Sequence, residues 1–384
     1  MLTQAQVRSI QDLVQHPGPV LSLYLSTNPA QEENAGRAYL ARAKEQMKAL
    51  GVPKEIFDKV LARLEEDRPQ ARTRVIFAGE NLLEIYDLQV DLPLSDGIEA
   101  RWGQPYLTPL LYAIDEHERR AVVLVDQEKW RLFEVVLGEI EELEGAFRAV
   151  NPEEWRDLGE DATAAGGRSA GPGAPGHVGR ASGGSGKDHF SERMGEWTER
   201  FYKEMAHHLV EVMKSRGIEQ LVLMGPDPDT KNFAAHLPEN FPKPYILPSA
   251  PHSRVSAGEI LKIVERELPP LERERELKLL EQIRENGVSG VDQVISLLQE
   301  GRIHLLVAPW KLEGTVFRCP SGMVGMTREA ARAYCPGEQV EEVSLKEALP
   351  RLAQAYAARL EFVHGEAEER LLREFGGLAG LLRW

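Results

Sequence analysis

The sequence predicts a mixed α/β (α+β) protein of three domains, and three observations support this. The chain has 384 residues, which suits two or three domains of about 100–200 residues each. Segments with the apolar alternation of strands recur between segments with helical spacing, and several strands form hairpin pairs. The pattern changes near Leu107 and is interrupted by Pro269-Pro270. We therefore predict domains at 1–107, 108–268 and 269–384.

The first domain is predicted to combine helices with short strands. Apolar residues have helical spacing over 4–15, 35–50 and 54–66, and the apolar run 20–25 predicts a strand. Residues 73–88 predict a β-hairpin. The polar, proline-containing remainder of this domain predicts neither a helix nor a strand.

The second domain is predicted to open with a hairpin of two strands, 120–126 and 130–139. A long amphipathic helix covers 190–216 and is expected to end at a glycine. Strands over 219–225 and 245–250 follow, with a turn and a short helix between them.

The boundary of the third domain is predicted from two prolines. A helix over 256–268 is expected to end at Pro269-Pro270, because proline removes a backbone donor and clashes with the preceding turn. A charged helix opens the third domain. A helix over 291–301, capped by Gly301, and a buried strand over 302–309 come next.

Composition excludes several classes of protein. No run of about 18 apolar residues is present, so we expect no membrane partner, and the first residues lack the apolar core of a signal peptide. Two cysteines, Cys319 and Cys335, are too few for a disulfide framework and favour a reducing cytoplasm. The net charge of −15 argues against a general nucleic-acid coat protein, and we expect no DNA partner.

Residues 162–187 form an acid-free segment, a run of 26 positions without Asp or Glu. The segment holds nine of the 33 glycines, and Val178 is its one sizeable apolar residue. Such a sequence cannot pack a core, and a structureless stretch of this length is typically functional or a linker. Its basic residues are Arg168, Arg180 and Lys187.

Two segments are similar to phosphate-binding loops but do not meet their requirements. A Walker loop needs Gly-x4-Gly-Lys-Ser/Thr, and here Ala181 and Asp188 replace the first Gly and the final Ser/Thr. The segment 225–231 follows a strand, but Pro226 and Pro228 remove two amide donors that a phosphate cradle requires. We therefore expect no nucleotide hydrolysis.

The sequence gives little support for a metal site or a catalytic site. Cys319 and Cys335 each look like half of a zinc knuckle, and two thiols do not fill a tetrahedral shell, so we expect no metal and no cofactor. His304 lies in the predicted buried strand and is interpreted as a core histidine. His207 and His208 point about 100° apart on their helix, which predicts one at the surface and one at a packing edge. No catalytic residue is predicted.

Two basic surfaces are candidates for nucleic-acid binding. The first is the face of the helix over 35–50 that carries Arg37, Lys44 and Lys48; the alternative is a solvated face. The second is the acid-free segment, for which the alternative is an inert linker. A glycine-rich backbone can approach RNA phosphates closely, and each basic side chain that contacts a phosphate releases counterions.

The order of elements around the acid-free segment resembles one family. The hairpin RAVVLVD and WRLFEV precedes GRASGGSG, a long amphipathic helix and the strand LVLMGP; Lys231, Phe233 and Leu237-Pro238 follow. This order is similar to the central domain of archaeal and eukaryotic peptide release factors and of Pelota. The third domain, with GVDQVISLLQEGRIHLLVAP and FGGLAGLLRW, resembles theirs, and its cysteine-bearing insert resembles their zinc knuckle with half its ligands gone. SLYLSTNPAQEENAGRAYLARAKEQMK in the first domain resembles the bacterial branch of this superfamily, which includes hibernation factors of the Balon type.

The sequence departs from release factors at the residues that carry their activity. Release factors have Gly-Gly-Gln at the tip of the central loop, where it positions water against the peptidyl-tRNA ester. The aligned tip here is Gly183-Gly184-Ser185, or else Gly166-Gly167-Arg168, and neither contains Gln. The stop-codon motif of release factors is not recognisable in residues 1–106.

The resemblance implies a ribosome-binding translation factor homologue that occupies the A site of the 70S ribosome and contacts rRNA. It implies hibernation without peptide release; the alternatives are Pelota-like rescue of stalled ribosomes and a divergent peptidyl-tRNA hydrolase or RNA nuclease. It also implies elongation factor Tu, or another translational GTPase, as a partner of the third domain. The implied rRNA contacts are Arg168, Arg180, Gly183, Gly184, Ser185 and Lys187 in the loop, and Arg37, Lys44 and Lys48 on the helix.

Overall fold

The structure, a computed structural model, describes residues 16–66, 69–147, 185–252 and 254–383, together with residues 6, 10 and 13. Helices and four β-sheets alternate along these residues, which confirms the predicted mixed α+β class. The chain forms two compact units. Residues 1–119, 136–139 and 265–384 make the first, and residues 120–135 and 140–264 make the second. The three-domain division stays a prediction.

The first 119 residues are built on an antiparallel sheet in the order β3-β2-β1-β4. Its strands are β1 (Val20–Ser26), β2 (Thr73–Ala78), β3 (Leu83–Leu88) and β4 (Ile98–Gly103). The sheet packs against α1 (Ala38–Ala49) and α2 (Lys54–Glu66), and also against α3 (Thr108–Glu116). Alternate residues of β1 serve the two cores: Leu21, Leu23 and Leu25 pack with α1 and α2, whereas Val20 and Tyr24 pack with α3.

Two predictions for this region are wrong in detail. β4 lies in the polar stretch that predicted no strand, because only part of it is buried and polar residues such as Glu99 and Arg101 hide the apolar pattern. The predicted helix over 35–50 begins instead at Ala38. Gly36 and Arg37 have φ of 61° and 65°, and a left-handed backbone cannot continue a right-handed helix. Most of the predicted helix over 4–15 lies outside the described residues.

The second unit contains a sheet in the order β7-β6-β5-β8-β9. Its elements are β5 (Arg120–Val125), β6 (Lys129–Val136), β7 (Glu139–Phe147), α4 (Ser185–Arg216), β8 (Gln220–Met224), α5 (Asp227–Ala235) and β9 (Tyr245–Ile246). β5 is antiparallel to β6 and parallel to β8. The predicted strand over 130–139 is present as β6 but ends at Val136, and Glu139 already begins β7. The chain turns at Leu137 and Gly138, whose φ values are 49° and 75°.

The long helix α4 is confirmed, including its end before Gly217, which has a φ of 63°. Its apolar stripe is buried against β5, β6 and β8. The stripe includes Phe201, Tyr202, Ala206, Leu209 and Met213. This packing fixes the helix on its own sheet.

Pro269-Pro270 does not end a helix: α6 runs from Ala257 to Asn286. A proline inside a helix frees carbonyls one turn earlier, and here those belong to the exposed residues Glu265 and Arg266, where water can hydrate them. Buried side chains on both sides of the prolines, such as Leu268 and Leu280, keep the helix packed. The boundary between the two compact units falls within this helix.

The remainder of the first unit holds two further sheets. β10 (Gly287–Ser289), β11 (Ile303–Pro309), β15 (Arg359–Val363) and β16 (Ala379–Leu382) pair in the order β10-β16-β11-β15. A small sheet contains β12 (Thr315–Arg318), β13 (Val324–Gly325) and β14 (Glu341–Ser344). The helices are α7 (Val291–Gln299), α8 (Arg328–Tyr334), α9 (Leu345–Ala355) and α10 (Gly365–Glu374). Gly301, with a φ of 72°, follows α7 as predicted. Among the described residues, no helix has the length and apolar character needed to cross a membrane.

Candidate functional site

The acid-free segment lies between β7 and α4 in the chain. Arg168, Arg180, Gly183 and Gly184 lie outside the described residues. The backbone of Ser185 and Lys187 belongs to the first turn of α4, so the predicted loop extends too far. The first residues of a helix donate no intrahelical amide hydrogen bonds, so a serine and glycines are tolerated there at little cost.

The strand that precedes this segment, β7, is joined to β6 by side-chain hydrogen bonds. Arg131 on β6 contacts Glu142 on β7 through two hydrogen bonds, from Nε to Oε1 at 2.7 Å and from Nη2 to Oε2 at 2.5 Å. The hydrogen bonds that Arg131 donates to Glu142 raise the pKa of Arg131 and lower the pKa of Glu142. Arg131 Nη1 also donates to the Val255 carbonyl at 2.7 Å. A bidentate pair of this kind fixes the orientation of both side chains.

The helix that follows the segment is linked to the same strand. His208 Nε2 on α4 lies 2.5 Å from Glu144 Oε2 on β7. His207 is 82% exposed and lies 3.6 Å from Glu211. The prediction of one surface and one packing-edge histidine is therefore confirmed. The two chain segments that flank the acid-free segment are connected to each other by a side-chain contact.

The C-terminal end of α4 carries a second link to the sheet. Arg216 Nη1 lies 2.8 Å from Glu134 Oε2, and the Glu134 side chain is only 1% exposed. A buried carboxylate needs such a cation, because an unpaired buried charge is strongly destabilising. The helix is thus held to β6 by a charged contact in addition to its apolar stripe.

One cation of the predicted basic face, Lys44, is paired with an acid from α2. Lys44 Nζ lies 3.0 Å from Glu65 Oε1 on α2, and Arg37 Nη1 donates to the Glu65 carbonyl at 3.1 Å. Lys48 is exposed. The structure therefore brings Arg37 and Lys44 together at Glu65, a residue that the helical spacing of α1 did not reveal.

The segment 225–231 is a turn into a short helix. Thr230 Oγ1 donates to carbonyl oxygens of its own turn, including that of Asp227 at 3.1 Å. Lys231 Nζ lies 2.8 Å from Asp227 Oδ2. The hydroxyl and the cation that a phosphate cradle would use are engaged within α5 itself.

The two cysteines form a disulfide, Cys319–Cys335, across 16 positions of the chain. They were predicted as two half-knuckles and as too few for a disulfide framework, which favoured a reducing compartment, so the sequence missed this pairing. Ala331 and Phe317 pack around the disulfide. Among the described residues no cluster of His, Cys, Asp and Glu is arranged to hold a metal ion. The prediction that His304 is a core histidine is wrong. It lies on β11 as expected, but a register shift beside it leaves its side chain exposed, with Nδ1 3.1 Å from the Leu382 carbonyl.

A half-buried polar cluster, here called the Glu116 cluster, was not predicted. Glu116 on α3 contacts Arg273 Nη2 on α6 at 2.7 Å and His364 Nε2 at 2.7 Å. Arg273 also contacts Glu276 at 2.8 Å, and Glu276 Oε2 accepts from the His364 amide at 3.0 Å. Glu116, the Arg273–Glu276 pair and His364 come from three distant parts of the chain, so no local pattern brings them together.

The two carboxyls of the Glu116 cluster titrate in opposite directions. Burial opposes ionisation of Glu116, but hydrogen bonds and charge from His364 and Arg273 lower its pKa to about 2. Burial raises the pKa of Glu276 to about 7, against the opposing effect of its cationic neighbours. The net charge of the Glu116 cluster therefore changes with pH, as Glu116 ionises near pH 2 and Glu276 near pH 7.

Comparison with known proteins identifies part of the chain. Residues 105–266 match bacterial archaeo-eukaryotic release factor family 10. This range contains the whole sheet of the second unit, α4, and the acid-free segment. No curated protein matches the chain.

Three of the solved structures to which the chain is similar are an archaeal termination factor and two archaeal Pelota structures. The archaeal translation termination factor aRF1 is 14% identical, with 100% of this chain and 99% of that chain covered and a TM-score of 0.23. A model of ribosome-bound archaeal Pelota and ABCE1 is 15% identical, with 100% and 95% covered and a TM-score of 0.38. Archaeoglobus fulgidus Pelota is 13% identical, with 81% and 79% covered and a TM-score of 0.28. The family assignment therefore depends on residues 105–266.

Proposed function

Because residues 105–266 belong to the bacterial branch of the archaeo-eukaryotic release factor and Pelota superfamily, we propose that this protein binds the ribosome at its A site. Its role there is hibernation: it occupies the site on idle ribosomes and releases no peptide. The cationic, glycine-rich segment is the part that enters between rRNA phosphates.

The observation that carries this proposal is the frame on either side of the acid-free segment. β7 is held by the bidentate pair of Arg131 and Glu142, and α4 is packed along its apolar stripe and joined to β7 through His208 and Glu144. This frame fixes the direction of α4 on its sheet. The segment is attached at the start of that helix, about 35 Å along its axis from His208.

The chemistry of the segment suits RNA phosphates. Arg168, Arg180 and Lys187 each release counterions when they contact a phosphate, and no acid within the segment offsets them. The first turn of α4, which begins at Ser185, adds free backbone amides and the positive end of the helix dipole. These features support contact with rRNA rather than an inert linker.

The absence of release activity is proposed from the sequence. The three Gly-Gly pairs of the chain are followed by Arg168, Ser185 and Leu378, and none by Gln. Ester hydrolysis at this position depends on a water held within a narrow geometry and on a preorganised donor. The hydroxyl of a serine is shorter than the amide of a glutamine and does not reach the same position.

A translational GTPase is proposed as the delivery partner, with elongation factor Tu as the first candidate. This part rests on the resemblance of residues 269–384 to the third domain of the superfamily. A pull-down of elongation factor Tu with GTP and with GDP, by the full chain, tests it. Equal lack of capture in both nucleotide states would reject this partner.

Co-sedimentation tests the central proposal. The purified chain is expected to pellet with 70S ribosomes at low salt, to dissociate as salt rises, and to be displaced by an A-site tRNA. Absence from the 70S fraction at low salt would overturn the proposal. Binding that tRNA does not displace would place the protein elsewhere on the ribosome.

A release assay separates the proposed role from the hydrolase alternative. Labelled fMet on initiator tRNA in the P site should remain esterified at the rate of the factor-free control. Release well above that control, abolished in Ser185→Ala or Gly184→Ala, would assign a peptidyl-tRNA hydrolase instead. Binding preferentially to ribosomes stalled on a truncated message, over idle ribosomes, would favour Pelota-like rescue.

A further inference from the structure

Two adjoining cavities in the first compact unit form a single cleft beside α9. The larger has a volume of about 460 Å³ and the smaller about 230 Å³, and both are lined by Gln104, Arg318, Glu341 and Arg351. The larger volume lies within the about 300–1,000 Å³ of typical small-molecule sites. This cleft lies outside the residues assigned to ribosome contact above.

Two of the three arginines that line this cleft, Arg318 and Arg351, are common to both cavities, and they are compensated unequally. Arg318 Nη2 lies 2.7 Å from Glu341 Oε2, and the Glu341 side chain is 64% exposed. Arg351 donates from Nη1 to Gln104 Oε1 at 2.5 Å and from Nη2 to the Pro105 carbonyl at 3.1 Å. Within the described part of the chain, no carboxylate lies at ion-pair distance from Arg351.

Arg351 therefore carries a half-buried charge whose contacts are neutral oxygens. Burial, and then the positive charge of Arg318, lower the pKa of Arg351, against the opposing negative charges of Glu347 and Glu341. A half-buried cation with no carboxylate in direct contact is unfavourable, and the three arginines of the cleft outnumber its two acids, Glu341 and Glu347, so the cleft favours an incoming anion. Arginine recognises phosphate in a planar, bidentate manner.

The same cleft offers surfaces for a planar heterocycle. The half-buried rings of Tyr356 and Trp102 line its two cavities. Three exposed glutamine side chains line it as well, and each amide supplies both donors and an acceptor. Aromatic rings stack on nucleobases, and amides pair with base edges. The glutamines are Gln104, Gln339 and Gln354.

We propose that this cleft binds a nucleoside monophosphate group, with the phosphate between Arg318 and Arg351 and the base among the glutamines. The group comes either from a free nucleotide or from a single nucleotide of an RNA strand, since the chemistry is shared. This proposal does not depend on ribosome binding. Most residues that line the cleft lie outside 105–266, and the experiments use no ribosomes.

The first experiment measures binding by the full purified chain in solution. Calorimetric titration with AMP, GMP, CMP, UMP and inorganic phosphate is expected to show one mononucleotide at least about tenfold tighter than phosphate alone, because the base adds stacking. A ribonucleotide tetramer distinguishes the two sources. Tighter binding of the tetramer than of the mononucleotide assigns an RNA strand, and equal binding assigns a free nucleotide.

Three variants test the assigned residues. Arg351→Gln should weaken nucleotide binding about tenfold, as expected for a lost charge-assisted hydrogen bond. Glu341→Gln should strengthen it about threefold, because the exposed carboxylate no longer competes for Arg318. Arg332→Gln is the matched control: this exposed arginine on α8 does not line the cleft, and its replacement should leave binding unchanged.

Several outcomes would overturn the assignment. No binding of any mononucleotide or of the tetramer below about 5 mM would remove it, since that affinity is worth only about 3 kcal/mol. If inorganic phosphate binds as tightly as the nucleotides, the proposed site for the base is wrong. If Arg351→Gln does not fold, Glu341→Gln decides, because an unchanged or weaker affinity in that variant contradicts a phosphate beside Arg318.

Discussion

The basic face of α1 and the acid-free segment were both predicted as cationic surfaces, but they differ in what surrounds their charges. On α1, Arg37 and Lys44 both contact Glu65, which comes from the next helix. Residues 162–187 contain no acid at any position, and the nearest acids in the chain are Asp161 before the segment and Asp188 after it.

The difference shows that a count of cations in a sequence overstates the charge available for binding. An exposed pair such as Lys44–Glu65 contributes little stability, yet it lowers the net positive charge that a phosphate meets. The same rule applies elsewhere in the first unit, where the fold supplies Glu116 with Arg273 and His364 as partners. Four predictions test how much each of these groups contributes.

The largest effect is expected from the acid-free segment. Arg168→Ala, Arg180→Ala and Lys187→Ala together should lower ribosome affinity about 100-fold at 0.1 M salt and reduce the salt slope by about 2, because three phosphate contacts are lost. Co-sedimentation across a salt series measures both quantities. Lys44→Ala with Lys48→Ala is the matched control and should change affinity less than about threefold, since Lys44 is already paired. A larger loss of ribosome affinity in the α1 variant than in the triple variant would contradict this prediction.

The next effect concerns the two cysteines, a partnership that the fold supplies. Opening the Cys319–Cys335 bridge with a reductant should cost about 3 kcal/mol of local stability, because a closed loop of this length restricts the unfolded chain. Hydrogen exchange of peptides that cover 315–344 measures the loss, with peptides of α1 as an internal control. Two alkylated thiols in the protein purified without reductant would show that no bridge is present. One zinc per chain would point to a metal site instead.

The Glu116 cluster is expected to have a smaller effect, with opposite signs for its two carboxyls. The folded-state pKa of Glu276 lies above its ordinary value of 4.5, so its stabilising effect is complete below pH 4.5 and is lost as pH rises through 7. The pKa of Glu116 lies below 4.5, so its effect is complete above pH 4.5 and is lost as pH falls toward 2.

Two variants separate these contributions. Glu276→Gln should remove about 1–2 kcal/mol of the decline in stability between pH 5 and 8, after allowance for solvent screening. Glu116→Gln should flatten the decline below pH 4.5 instead. Hydrogen exchange of peptides from α3 across this pH range provides the measurement. Glu285→Gln, at an exposed position of α6, is the control. Identical pH profiles in Glu276→Gln and the control would show that Glu276 does not titrate in this window.

The smallest effect is expected at Glu65. Glu65→Gln removes the carboxylate beside Lys44 and should lower stability by less than about 1 kcal/mol, because both side chains are substantially exposed. If the α1 face contacts rRNA, the same variant should raise ribosome affinity about twofold to threefold, since one cation is released. Thermal unfolding and co-sedimentation give the two values. A fall in ribosome affinity would mean that Glu65 itself contributes to the contact.

Local periodicity in the sequence was enough to predict the helices and strands whose apolar residues repeat within the element itself. The strand β1, the hairpin of β2 and β3, and the helix α4 with its end at Gly217 follow from such repeats. The opposite environments of His207 and His208 also follow, because they depend only on the angle between neighbouring positions on a helix. The acid-free segment is likewise a property of composition.

Tertiary structure decided everything that depends on residues distant in the chain. β4 becomes a strand because β1 is there to pair with it, and α6 continues through Pro269-Pro270 because buried side chains on both sides hold it in place. The pairing of Cys319 with Cys335 and the contact of Lys44 with Glu65 likewise arise only when the fold brings them together. The physical reason is the same in each case. Pairing, burial and the pKa values that follow from them depend on spatial neighbours, whereas the sequence pattern records only neighbours along the chain.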